Sequence, residues 1–137
     1  MQTLFRNPFR RFINSRKGAT AVEFALIAPV FLIMVIGVFE LGRAMWIKAS
    51  MQYAVEETTR YAIVNTGAST STLAAYAQSA YSSSGINITG ATFNASQATS
   101  GGKTYVTITG SFNFSVLVPI VPMPDVTLSA KSRIPIS

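Results

Sequence analysis

Glu23 stands where a charged side chain is unusual. It is the only charge in residues 19–39, which read ATAVEFALIAPVFLIMVIGVF. A carboxylate in an apolar helix costs up to about 2.5–3.5 kcal/mol at the centre of a bilayer, and less near its edge. The start of a helix favours a negative side chain, which lowers that cost. We therefore expect Glu23 to have a specific compensating partner.

The residues before Glu23 indicate how such a partner could arise. Five bases and no acid precede Gly18, namely Arg6, Arg10, Arg11, Arg16 and Lys17. With these bases, the stretch KGATAVEF resembles the recognition sequence of type IV prepilin peptidases, which has glycine at the cut and glutamate five residues later. The resemblance implies cleavage between Gly18 and Ala19, and a role in processing for Glu23 and Phe24.

Cleavage would free the amine of Ala19, four positions from Glu23. The amine could pair with Glu23 of its own chain or of a neighbour. A pair between chains would hold packed helices in register, because another register would leave Glu23 unpaired in lipid. The simpler alternative is an ordinary signal anchor in which Glu23 is an interfacial residue near the helix start.

Residues 19–39 are long enough to cross a membrane. Twenty-one residues at about 1.5 Å each span about 31 Å, against a bilayer core of about 30 Å. A secretory signal peptide has a shorter apolar core and ends in a small-x-small cleavage site, which this run lacks. Pro29 is tolerated inside a membrane helix. We expect a retained helix with the basic N-terminus in the cytoplasm.

The net charge of +6 is concentrated in the N-terminal segment. From residue 19 onward, six bases and five acids leave only +1. This argues against nucleic-acid binding, which needs a basic folded surface. The chain has no His and no Cys, so the commonest general base and the usual soft metal ligands are missing. Since no base accompanies the many Ser and Thr residues, we expect no enzyme, cofactor or metal site.

A longer stretch of the sequence indicates a more specific family than prepilins in general. Residues 18–46 read GATAVEFALIAPVFLIMVIGVFELGRAMW and resemble the N-terminal signature of TadE-like pseudopilins of tight-adherence (Tad/Flp) pilus systems. The matching features are the early Glu-Phe, the proline inside the apolar run, and Glu-Leu-Gly-Arg at its end. The resemblance implies processing by a dedicated prepilin peptidase and a role in assembling or presenting adhesive pili. The chain is longer than the family's major pilins, which favours a minor component.

Glu40 and Arg43 are three residues apart and can pair on one helix face. The resemblance makes them, together with Trp46, a landmark of the point where the helix leaves the membrane. The alternative is an ordinary boundary pair at the lipid headgroups, with Trp46 as an interfacial anchor.

The membrane helix is expected to continue to about residue 65. Its predicted packed stripe is interrupted by Lys48 and consists of Ala44, Met51, Val55, Thr58 and Ala62. Asn65-Thr66-Gly67 then predicts a helix stop. Ser71 or Thr72 is expected to cap a short second helix that ends near Tyr81 and packs through Leu73, Ala77, Ala80 and Tyr81.

The remaining residues predict strands. Ile86, Ile88 and Phe93 mark a weak first strand. A clear one follows over Thr104–Val116, where apolar and polar residues alternate. Gly110 is a candidate bulge in it, and Ser100-Gly101-Gly102 is a turn before it. A proline-rich connection leads to a last strand from Val126 to Lys131.

These features predict an α+β chain: a long N-terminal membrane helix, then a small antiparallel β-sheet domain with one short helix. The expected segments are a basic leader at 1–18, a transmembrane and extended helix at 19–65, and an extracytoplasmic domain at 66–137. We expect a single-pass protein of a bacterial inner membrane, a minor pilin or pseudopilin that acts in pilus assembly or adhesion. Its expected partners are a prepilin peptidase, other pilins or pseudopilins, and membrane lipid. The alternative is an unprocessed, signal-anchored membrane protein with an extracytoplasmic binding domain.

Overall fold

A computed structural model describes residues 16–85, 89–119 and 124–136, excepting the side chains of Arg16 and Lys17. The described elements are α1 (Arg16–Val64), α2 (Thr70–Ser83), β1 (Thr92–Ser100), β2 (Lys103–Phe114) and β3 (Val126–Pro135). The predicted α+β class is confirmed. The described residues fall into two compact units that divide between Val38 and Phe39.

In the first unit, α1 is an apolar helix whose side chains are mostly exposed. Val22, Phe24 and Phe31 are each more than half exposed, and Pro29 lies within the helix. By length and composition, α1 could cross a membrane. The predicted single apolar span is therefore present as a continuous helix.

In the second unit, α1 packs one face against the sheet. The predicted stripe is confirmed, with Ala44 only partly buried and Lys48 exposed. Ile47 and Ala54 complete the stripe, and both are fully buried. A hydrogen bond of 3.2 Å joins the hydroxyls of Thr59 and Ser132 and so ties the helix to β3. The second half of α1 is thus part of the domain core.

The junction between the helices is built from Asn65 to Ser69. The predicted stop is confirmed, because α1 ends at Val64 and the Asn65 side-chain amide caps it by donating to the carbonyl of Tyr61 at 3.0 Å. The predicted cap of α2 was wrong. Ser69 is the N-cap, and its hydroxyl accepts the backbone N–H of Thr72 at 3.2 Å. The N-cap to N3 spacing fits Ser69, which leaves Thr72 inside the first turn.

The sheet has the order β1-β2-β3, and both pairings are antiparallel. In β2 the alternation is confirmed, since Val106, Ile108, Phe112 and Phe114 are buried. The predicted turn is also confirmed, because Gly101 and Gly102 have φ values of 59° and 74°. Of the predicted first strand, Phe93 lies in β1, whereas Ile86 and Ile88 lie outside the described residues.

Gly110 is not a bulge. It pairs with Phe93 and with Ala130 in an unbroken register. A Cβ at this position would come within 2.7 Å of Cε1 of Phe93 and 3.3 Å of Cε of Met51. Gly110 therefore makes room for a ring of β1 and a side chain of α1 where they meet over the central strand.

Candidate functional site

The residues of the predicted cleavage motif lie near the start of α1. Ala19, Glu23 and Phe24 are exposed, and Gly18 is half-buried. Ala19 and Glu23 are four residues apart on this helix, so they lie on the same face about one turn apart. The helix geometry can therefore bring an amine at Ala19 near the carboxylate of Glu23 of the same chain.

Glu40 and Arg43 form an ion pair in the second unit. The Nε and Nη2 atoms of Arg43 donate to Oε2 of Glu40 at 3.0 and 2.8 Å. Glu40 is only 4% exposed, although its neighbours Phe39 and Leu41 are exposed. The pairing expected from the spacing of three residues is therefore present, and it neutralises a carboxylate that packing removes from solvent.

The same two side chains hold the chain that leaves β2. The other carboxylate oxygen of Glu40, Oε1, accepts the backbone N–H of Leu117 at 3.0 Å. Nη2 of Arg43 donates to the carbonyl oxygen of Ser115, and its guanidinium carbon lies 4.2 Å from the ring centroid of Phe114. We call Glu40, Arg43, Ser115 and Leu117 the clasp, because they join α1 to the segment after β2.

The pKa of Glu40 is lowered from its ordinary value of 4.5. The hydrogen bonds from Arg43 are the largest cause, and the N–H of Leu117 and the positive charge of Arg43 act in the same direction. Burial opposes them, because it disfavours the charged form. The clasp therefore holds an ionised Glu40 at neutral pH.

The segment that resembles TadE-like proteins includes both the start of α1 and the Glu40–Arg43 pair. Residues 18–60 match the family model of TadE-like proteins. The matched segment begins at Gly18 and includes Glu23, Glu40, Arg43 and Trp46. Searches of curated proteins and of solved structures gave no match. The resemblance is confirmed over this segment and supports the general description of a protein associated with a Tad pilus.

Trp46 lies in the TadE-like segment but outside the clasp, with an exposed side chain. The partners that Ser115 and Leu117 supply lie beyond the segment, 72 and 77 residues along the chain. Sequence reasoning missed both, because their contacts use backbone atoms that no side-chain pattern reveals. Among the residues that the structure describes, no group of three or more His, Cys, Asp or Glu could hold a metal ion.

Proposed function

We propose that this protein is a minor pilin or pseudopilin of a tight-adherence pilus, cut by a prepilin peptidase and acting in pilus assembly or adhesion. The observation that carries the proposal is the family match, which begins at Gly18, the residue before the predicted cut. The apolar helix that follows is long enough to anchor the chain in a membrane. The role is structural rather than catalytic, in keeping with a sequence that has no His and no Cys.

In this proposal, the two parts of α1 have different roles. Its first part spans the inner membrane with the basic leader in the cytoplasm. After the cut, the amine of Ala19 pairs with Glu23 of the same chain or of a neighbouring pilin, and the pairing sets the register of packed helices. Its second part carries the sheet outside the membrane, where the domain contacts other components of the assembly machine.

The test is the N-terminal mass of the protein extracted from membranes of cells that carry the peptidase. The proposal expects a chain that starts at Ala19. Gly18→Leu should block the cut, because the bulky side chain occupies the position that the peptidase recognises as glycine. Gly37→Leu is the matched control. It alters a glycine of the same helix that has open space around its Cβ position, and it should be cut normally.

An intact Met1 start in these cells would overturn the proposal. It would favour the unprocessed, signal-anchored binding protein instead. Normal cutting of Gly18→Leu would also contradict the assignment of the cleavage site.

A further inference from the structure

The proposed function puts the second unit outside the membrane, and we call it the outer unit. The clasp lies at the end of this unit where α1 enters it. Phe39 is the first residue of this unit and the last of the predicted span. Through Glu40 and Arg43, the backbone at Ser115 and Leu117 is held beside the first turn of α1 in the unit. The segment after β2 is thus held beside the residues that directly follow the predicted span.

The side chains around the clasp are apolar and exposed. Phe39 and Leu117 are 75% and 73% exposed, and they are among the most exposed large hydrophobic residues in the part of the chain that the structure describes. Leu41 is also exposed, as is Val126, which pairs with Phe114 at the end of β2. We call Phe39, Leu41, Leu117 and Val126 the apolar collar. Phe39 and Leu41 belong to α1, Leu117 lies in the segment after β2, and Val126 is the first residue of β3.

Taking the membrane anchoring of α1 from the proposed function, we infer that the apolar collar is a second lipid contact, through which Leu117 and Val126 rest in the bilayer interface beside the helix. Phe39 and Leu41 directly follow the exposed apolar residues of 19–38 in the sequence. Trp46 is exposed six residues beyond Glu40, about 9 Å along the helix. That distance is comparable with the depth of the headgroup region, where Trp is enriched.

The clasp lowers the cost of this placement. Backbone N–H and C=O groups of a loop are costly to remove from water unless they have partners. Here the N–H of Leu117 is satisfied by Glu40 and the C=O of Ser115 by Arg43. The two charges that provide these bonds neutralise each other at 2.8 Å. The loop can therefore present Leu117 to lipid with these two backbone groups satisfied.

The contact would orient the outer unit. A single helix allows a domain to rotate about the helix axis, whereas a second contact at Leu117 fixes which side faces the membrane. The β1–β2 turn is at the opposite end of β2 from the clasp, because Thr104 and Phe114 are separated by ten residues of strand, about 33 Å. Asp125 is exposed beside Val126, so a zwitterionic lipid is a better partner than an anionic one.

The test places one Trp at a time in the full chain, reconstituted in phosphatidylcholine vesicles whose acyl chains are brominated near the headgroup. Trp46→Phe removes the only native Trp, and each single Trp is introduced into this variant. Leu117→Trp should lose fluorescence relative to unbrominated vesicles, because its ring would lie at the interface beside the bromine atoms. Thr99→Trp, at an exposed position of β1 beside the distant turn, should lose none.

Phe39→Trp lies at the end of the predicted span, so it reports on the helix anchor and separates the two ideas. If Phe39→Trp is quenched and Leu117→Trp behaves like Thr99→Trp, the chain is anchored by its helix but Leu117 makes no lipid contact, and the inference is overturned. If neither is quenched, the anchoring in the proposed function fails as well. A blue-shifted but unquenched Leu117→Trp would mean that protein covers this residue, and it would also overturn the inference. Thermal unfolding of each variant checks that it is folded.

Discussion

The carboxylate of Glu40 accepts a hydrogen bond from the backbone amide of Leu117, 77 residues further along the chain, at 3.0 Å. Its other oxygen pairs with Arg43, which in turn donates to the carbonyl of Ser115. One buried acid thus ties the helix to the segment that leaves the central strand. This arrangement explains why an acid and an arginine three residues apart occur at the end of an apolar run.

Stability should depend on pH through Glu40, which lies outside the predicted span. Its pKa is lowered in the folded state, chiefly by the hydrogen bonds from Arg43. A lowered pKa contributes stability that is present above the unfolded value of 4.5 and is lost as the pH falls below it. Glu40→Gln should therefore lower the thermal midpoint at neutral pH. The difference in thermal midpoint between this variant and the wild type should shrink as the pH falls below 4.5.

The measurement is thermal unfolding of the full chain in detergent, followed by circular dichroism. Glu56→Gln is the control, because it removes an exposed acid of the same helix that accepts a hydrogen bond from the side-chain amide of Gln52. A gap for Glu40→Gln that stays constant between neutral and acidic pH would contradict the assigned role of the charge.

Gly110→Ala should destabilise the outer unit by about 1–3 kcal/mol, as overpacking of a core does. The new Cβ would meet the Phe93 ring at 2.7 Å and the Met51 side chain at 3.3 Å. Gly42→Ala is the matched control in the same unit, since its Cβ position is open. It should be neutral or stabilise the helix by up to about 1 kcal/mol. Equal denaturant midpoints for the two variants would refute the packing role of Gly110.

Local periodicity explains which parts of the fold the sequence predicts. The apolar run of α1 and the alternation of β2 are repeated signals, so several residues support each element. Gly110 is different, because a glycine within a strand fits a bulge and a close approach equally well, and only the position of Phe93 decides. The cap at Ser69 was missed because a run of Ser and Thr offers several similar candidates.

The site was predictable only where its residues are close in sequence. The spacing of Glu40 and Arg43 indicates a pair, and the distance of Ala19 from Glu23 indicates a shared helix face. The contact with Leu117 depends on how the whole sheet is placed against α1. No local pattern encodes it, because the donor is a backbone amide that every residue except proline carries.

Tyr81→Phe should leave stability unchanged or slightly raised at neutral pH. The hydroxyl of Tyr81 is buried and has no hydrogen-bond partner among the described residues, so removing it leaves no partner unsatisfied. Burial also raises the pKa of Tyr81 above its ordinary value of 10.0. The wild type should therefore lose stability as the pH rises above 10.0, because only the unfolded chain ionises readily there.

Tyr81→Phe should lose less stability than wild type over that alkaline range, measured as thermal midpoints of the full chain in detergent. Tyr53→Phe is the control, because Tyr53 is exposed, and it should follow the wild type. If both variants follow the wild type above pH 10.0, burial of Tyr81 does not govern alkaline stability.

Under the proposed function, Glu23→Gln should weaken association with neighbouring pilins while leaving the outer unit folded. The substitution keeps the shape of the side chain but removes the charge that the freed amine of Ala19 would pair with. A loss of about 1.4 kcal/mol at such a contact lowers association about tenfold. The measurement is the amount of each pilin that copurifies with the tagged protein from detergent-solubilised membranes, alongside the N-terminal mass.

The N-terminal mass distinguishes two causes of weaker association. If Glu23→Gln is cut at Gly18 yet recovers fewer pilins, the carboxylate acts in helix registration. If it is not cut, Glu23 acts in recognition by the peptidase, and the registration role must be tested on chains that already start at Ala19. Glu56→Gln, an exposed acid in the outer part of the same helix, should be cut and should associate normally. Normal cutting and normal association of Glu23→Gln would remove both roles, because the charge would then have no measurable partner.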